Sequence, residues 1–162
     1  MLRSGVGGDG GEVCFLPLKS WSARYGSEYF TVEFSGEWHE VTDKSLPKKD
    51  HYTVYHFECR CGHLTWKVER RYSQFRALFE SVRASENRER VSSGKNDRSG
   101  GVVALPRGRR IKFPPKTLWK RFDEKFCGER GAKLQIWLLD RLKDRRFVQR
   151  REVRAFLELS IR

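Results

Sequence analysis

Apolar and polar positions alternate through Leu64, Thr65, Trp66, Lys67, Val68 and Glu69, the two-residue period of a half-buried strand. Two earlier stretches, 29–34 and 52–59, concentrate β-branched and aromatic residues and read as strands as well. Gly36 is placed to bend or bulge the first, and Gly62 to turn the second into the third as a hairpin. Past residue 72 the period changes. Phe75, Leu78, Phe79 and Val82 follow at helical spacing, predicting a helix from about Ser73, its N-cap, to near Ser85. Two further amphipathic helices carry Leu134, Trp137, Leu138 and Leu142, then Val153, Phe156, Leu157 and Ile161. Strands followed by helices predict an α+β domain.

At 162 residues the chain fits one domain with tails. The Gly-rich start shows no sustained periodicity, so residues 1–27 are expected to form a flexible arm before a domain spanning 28–162. Val13, Phe15, Leu16, Leu18 and Trp21 are the positions in that arm able to dock. The formal charge of +13 adds a requirement: an anionic partner, nucleic acid or a membrane surface. Five Trp and eleven Phe argue against a wholly disordered basic chain. No segment approaches the roughly 20 apolar residues that span a bilayer, and the start lacks the pattern of a signal peptide. A cytosolic setting is expected. From 83 to 116 there are ten Lys or Arg against three acids, a net +7, which marks an extended basic loop at about 86–112.

Candidate chemistry centres on Arg70-Arg71-Tyr72-Ser73-Gln74-Phe75. The strand period sends Arg70 and Arg71 to opposite faces, so one can serve the fold while the other faces outward. A planar guanidinium suits bidentate phosphate recognition, and a neighbouring tyrosine can cover the apolar face of a ring. Together they suggest a phosphorylated, ring-containing ligand. A metal site would need Cys59, Cys61, His63 and a distant ligand such as Cys127 or His56. That spacing is unlike the paired motifs of zinc sites, and thiols around a hairpin in a reducing compartment are the better reading. His39, His51, His56 and His63 form no catalytic grouping with Ser, Cys or Asp.

Four markers in order give the chain a resemblance to the PX (phox homology) domain, a phosphoinositide-binding module of sorting nexins and related trafficking proteins. They are Trp66 through Phe75, then Phe113-Pro114-Pro115-Lys116, then Arg130 with Leu134, Trp137 and Leu138, and the closing Val153-Arg154-Ala155-Phe156-Leu157. The resemblance implies a three-stranded antiparallel sheet packed against a helical subdomain, with the headgroup between them. It assigns Arg71 to the 3-phosphate of phosphatidylinositol 3-phosphate and Tyr72 to stacking under the inositol ring. Lys116 would meet the phosphate joining inositol to glycerol, and Arg130 the inositol hydroxyls. Arg70, sharing a face with Trp66 and Val68, reads as structural. The loop of such domains enters membranes, which gives Val102, Val103 and Leu105 an insertion role beside the cations that follow them.

The resulting expectation is a monomeric peripheral membrane module without catalysis, cofactor or metal, targeted to endosomal membranes in protein transport. A protein-interaction adaptor on the same scaffold is the alternative. A nucleic-acid binder using the basic loop is a third reading, marked by steeply salt-dependent binding; no nucleic-acid partner is expected.

Overall fold

The computed structural model describes residues 11–45, 50–93, 111–117 and 122–159. Its sheet contains β1 (Cys14–Phe15), β2 (Tyr29–Asp43), β3 (Asp50–Cys61) and β4 (Leu64–Arg71), in that spatial order. The helices are α1 (Tyr72–Ser93), α2 (Glu124–Leu142), α3 (Arg145–Val148) and α4 (Arg151–Phe156). The α+β expectation holds. The sheet has four strands rather than three, because β1 adds a short parallel edge to the antiparallel β2, β3 and β4.

That extra strand lies within the stretch expected to be a flexible arm. Cys14 pairs with Tyr29 and Phe15 with Phe30, while Leu16 N–H donates to Phe30 O at 2.9 Å. Val13 and Phe15 pack on the core, and Trp21 Nε1 donates to Tyr29 O at 3.3 Å. From Gly11 onward this segment is docked, with 3₁₀ turns at Leu18–Ser20 and Ala23–Glu28 leading into β2. Residues 1–10 lie outside the described residues.

Gly36 does bulge β2: its φ is +79°, and the β2/β3 register shifts between Phe34 and Trp38. The disrupted ladder is compensated from α2, whose Gln135 Oε1 accepts from Phe34 N–H at 2.8 Å. Gly62, at φ +58°, closes the β3–β4 hairpin. Each strand's alternation delivers one side to the core, where Phe30, Val32, Tyr55, Phe57, Cys59, Trp66 and Val68 are buried. Across from them α1 places Phe75, Leu78 and Val82, and α2 places Leu134, Trp137, Leu138 and Leu142. Truncating any of these buried Leu to Ala would cost about 2–5 kcal/mol. Burial pushes the Cys59 thiol up to about 12, as its apolar surroundings disfavour a thiolate.

Helix α1 departs from expectation at both ends. It begins one residue earlier, so Ser73 lies inside the first turn; Gln74 Oε1 instead accepts from Arg71 N–H at 2.9 Å. It also runs on to Ser93, which makes 86–93, assigned to the basic loop, helical. The cause is tertiary: Glu86 pairs with Arg141, and Glu89 accepts from Arg150 Nη2 at 3.0 Å. No helix among the described residues is long and apolar enough to cross a membrane.

Candidate anion-binding cavity

Where β4 ends and β3 continues beyond it, the sheet, the start of α1 and α2 enclose a cavity of about 330 Å³. Arg71, Tyr72, Lys116 and Arg130 all line it. Four residues spread over sixty positions therefore meet in one place. Among its lining residues three are permanent cations and none is an acid.

Each cation arrives by a separate structural route. Arg71 is the last residue of β4, paired with Val54, and its guanidinium carbon sits 4.9 Å from the centroid of Tyr52. Lys116 follows a proline turn pinned to α1 by Tyr72, whose hydroxyl donates to Pro114 O at 2.9 Å. Arg130 lies in the second turn of α2, whose N-cap Asp123 accepts from Phe126 N–H at 2.9 Å. The helix continues through Gly128 and Gly131. Gly131 is needed there for space, because a β-carbon at this position would collide with the ring of Phe34 and crowd Tyr55. Close approach of α2 to the sheet is what carries Arg130 to the cavity wall.

Aromatic rings and a hydroxyl hold Arg130 in the wall. Arg130 stacks over Tyr72 at 4.3 Å and over Phe126 at 4.6 Å, and its Nη2 donates to Thr117 Oγ1 at 3.0 Å. One face of Tyr72 is thus covered by Arg130, and Phe113 packs against the same ring at 5.8 Å. Burial holds the Tyr55 phenol well above its usual range, against the opposing pull of Arg130, so it stays neutral beside the cavity. Fixed cations on aromatic rests, in a partly enclosed space, suit a small multiply charged anion.

Arg70 has the opposite surroundings. Its Nε donates to Phe156 O at 3.1 Å, Nη1 to Glu69 O at 2.8 Å and Nη2 to Glu158 Oε1 at 3.0 Å. It ties β4 to the end of α4 and does not line the cavity, in keeping with its structural reading.

Sequence reasoning missed Tyr52, Thr117, His51 and Phe122. His51 stacks flat on Phe122, centroids 3.9 Å apart, and both line the cavity. No local motif announces them, since they come from segments seventy residues apart. Val102, Val103 and Leu105 lie outside the described residues. A larger cavity of about 640 Å³ adjoins on the α1 side and shares Tyr72 and Lys116. Its wall includes Glu80 and Glu86, engaged by Arg76 and Arg141, and it is also lined by Arg83, Lys112 and Lys116, so its excess of three cations equals that of the smaller cavity. What sets the smaller cavity apart is the absence of any acid from its lining.

The family model described as PX domain matches residues 61–160. No curated protein matches the chain.

Proposed function

Because the chain belongs to the PX domain family, we propose that its cationic cavity recognises phosphatidylinositol 3-phosphate and brings the protein to endosomal membranes. Phosphoinositide binding and membrane targeting are what membership of the family implies. One observation carries the finer reading: Arg71, Tyr72, Lys116 and Arg130 share one cavity with no acid in its lining. In this reading Arg71 takes the 3-phosphate through its planar fork. Lys116, a compact exposed ammonium in the cavity lining, takes the phosphodiester. Arg130 reaches hydroxyls of the inositol ring, whose apolar face rests toward Tyr72. None of these roles breaks a bond. Binding then combines headgroup recognition with the general attraction of a +13 chain for an anionic surface, about 1 kcal/mol for each cation near it.

Co-sedimentation with vesicles of matched net charge, containing phosphatidylserine alone or each phosphoinositide, tests this at physiological salt. The expected result is selective binding to the 3-phosphate that Arg71→Ala abolishes. Equal binding to every anionic vesicle, unchanged by that substitution, would reduce the chain to an electrostatic anchor and move its specificity to a protein partner.

A further inference from the structure

We propose that His51 is a further headgroup-contacting residue, positioned by Glu40 and Phe122, and that it makes binding of a phosphorylated headgroup proton-linked. The inference rests on the phosphoinositide reading of the cavity. His51 projects from β3 beyond the end of β4, and Glu40 comes from the same face of β2: Glu40 pairs with Thr53 and Thr42 with His51, so the two are diagonal neighbours. Nε2 of His51 donates to Glu40 Oε2 at 2.8 Å. Phe122, immediately before the Asp123 N-cap of α2, lies parallel to the imidazole within 9°. One partner fixes the ring plane and the other fixes its rotation. The imidazole is thus preorganised in the cavity wall.

This geometry assigns the ring atoms. An ionised carboxylate only accepts, so Nε2 carries a hydrogen and Nδ1 is the remaining polar atom. Among the described residues Nδ1 has no hydrogen-bond partner. A neutral ring accepts from a hydroxyl there, whereas a protonated ring donates to a phosphate oxygen while keeping Glu40. The charges facing His51 oppose one another. Glu40 on β2 is the acid beside the ring; Arg71 at the end of β4, Lys116 after the proline turn and Arg130 on α2 are the cations that line the same cavity. Asp43 lies on the face of the sheet that also carries Arg71; hydrogen bonds from Ser45 and, more weakly, the Arg71 charge hold its carboxyl below the usual range, so it is a second acid in the surroundings of the cavity. A phosphate monoester entering the cavity brings a charge of about −1.5 to −2 and tips this balance toward protonation. Binding then takes up a proton, and by reciprocity affinity rises as pH falls.

The test is calorimetric titration of the full chain with soluble dibutanoyl phosphatidylinositol 3-phosphate between pH 7.5 and 5.5, comparing wild type with His51→Gln. The monoester's own second ionisation, near 6, affects both chains alike and cancels in the affinity ratio. That ratio is expected to grow in favour of wild type as pH falls, by up to about tenfold for each pKa unit that the bound phosphate imposes on His51. Repeating the titration in buffers of different ionisation enthalpy should show greater proton uptake by wild type. Glu40→Gln keeps the ring but should move the pH response to lower values. An Arg71-dependent affinity whose pH response is the same in wild type and His51→Gln would overturn the inference and leave the phosphoinositide reading standing. No binding by either chain at any pH would overturn both. Inorganic phosphate displacing the lipid at equal concentration would reassign the cavity to free phosphate and remove the headgroup contact.

Discussion

Arg70 and Arg71 are neighbours in sequence and serve regions of opposite character. Behind β4, Arg70 is largely buried, and its donors are taken by two backbone carbonyls and a carboxylate. That network also holds Glu158 at φ +57°, the left-handed position that ends α4 and usually calls for glycine. Around the end of β4, Arg71 and Arg130 rest on aromatic rings, and the cavity they line contains no acid. The same side-chain chemistry therefore closes the fold in one place and, in the proposed reading, presents positive charge to a headgroup in the other. Local acids and carbonyls decide which.

Removing each arginine separately is the strongest way to break this contrast. Arg71→Ala should weaken selective phosphoinositide binding by at least about 100-fold, the scale of losing a charge-assisted pair. Its thermal midpoint should fall by no more than a few degrees, since the guanidinium contact with Tyr52 that it loses is worth about 0.5–1 kcal/mol. Arg70→Ala should do the reverse. It leaves Glu158 and the Phe156 carbonyl without their partner, a loss of about 2–3 kcal/mol. Denaturant unfolding should register that loss, while the folded fraction binds vesicles within about threefold of wild type. Equal effects of the two substitutions on binding would dissolve the distinction.

Gly131→Ala sharpens the comparison by acting on the fold and the cavity together. The added methyl meets Phe34, so α2 must move outward or the ring must turn, at a cost of about 1–3 kcal/mol. Because Arg130 precedes it, headgroup affinity should fall as well, by about three- to tenfold at a temperature where the variant is folded. Unfolding and vesicle titrations on one preparation would check both. Lost stability with unchanged affinity would show that Arg130 is placed independently of helix docking.

Elements whose order comes from their own side-chain period were legible in the sequence: β4, the apolar face of α1, and the Leu and Trp stripe of α2. The Arg-Arg-Tyr run was equally legible, because strand alternation alone separates the two arginines. What escaped was set by tertiary structure. β1 is only two residues long and joins the sheet through backbone pairing that leaves no periodic trace. The last turns of α1 are polar, and the pairs from Glu86 to Arg141 and Glu89 to Arg150 hold them from afar. His51 and Phe122 reach the cavity from the start of β3 and from the turn before α2, about seventy residues apart. A stack between them has no signature in either neighbourhood.

Lys116 gives the smallest effect and the most discriminating one. Its ammonium is exposed on the rim shared by the two cavities, so it acts as a point charge with no fixed fork geometry. The phosphodiester it is proposed to meet is common to every phosphoinositide. Lys116→Ala should therefore weaken binding to all of them by a similar factor, about three- to tenfold, the range of one exposed charge pair of about 1 kcal/mol. Raising the salt concentration should shrink the difference from wild type, because exposed pairs are screened. Arg71→Ala, in contrast, should erase the preference among headgroups at any salt. If Lys116→Ala changed the rank order of phosphoinositides, the lysine would be reading a ring phosphate, and the cavity would have to accept the headgroup in the opposite orientation.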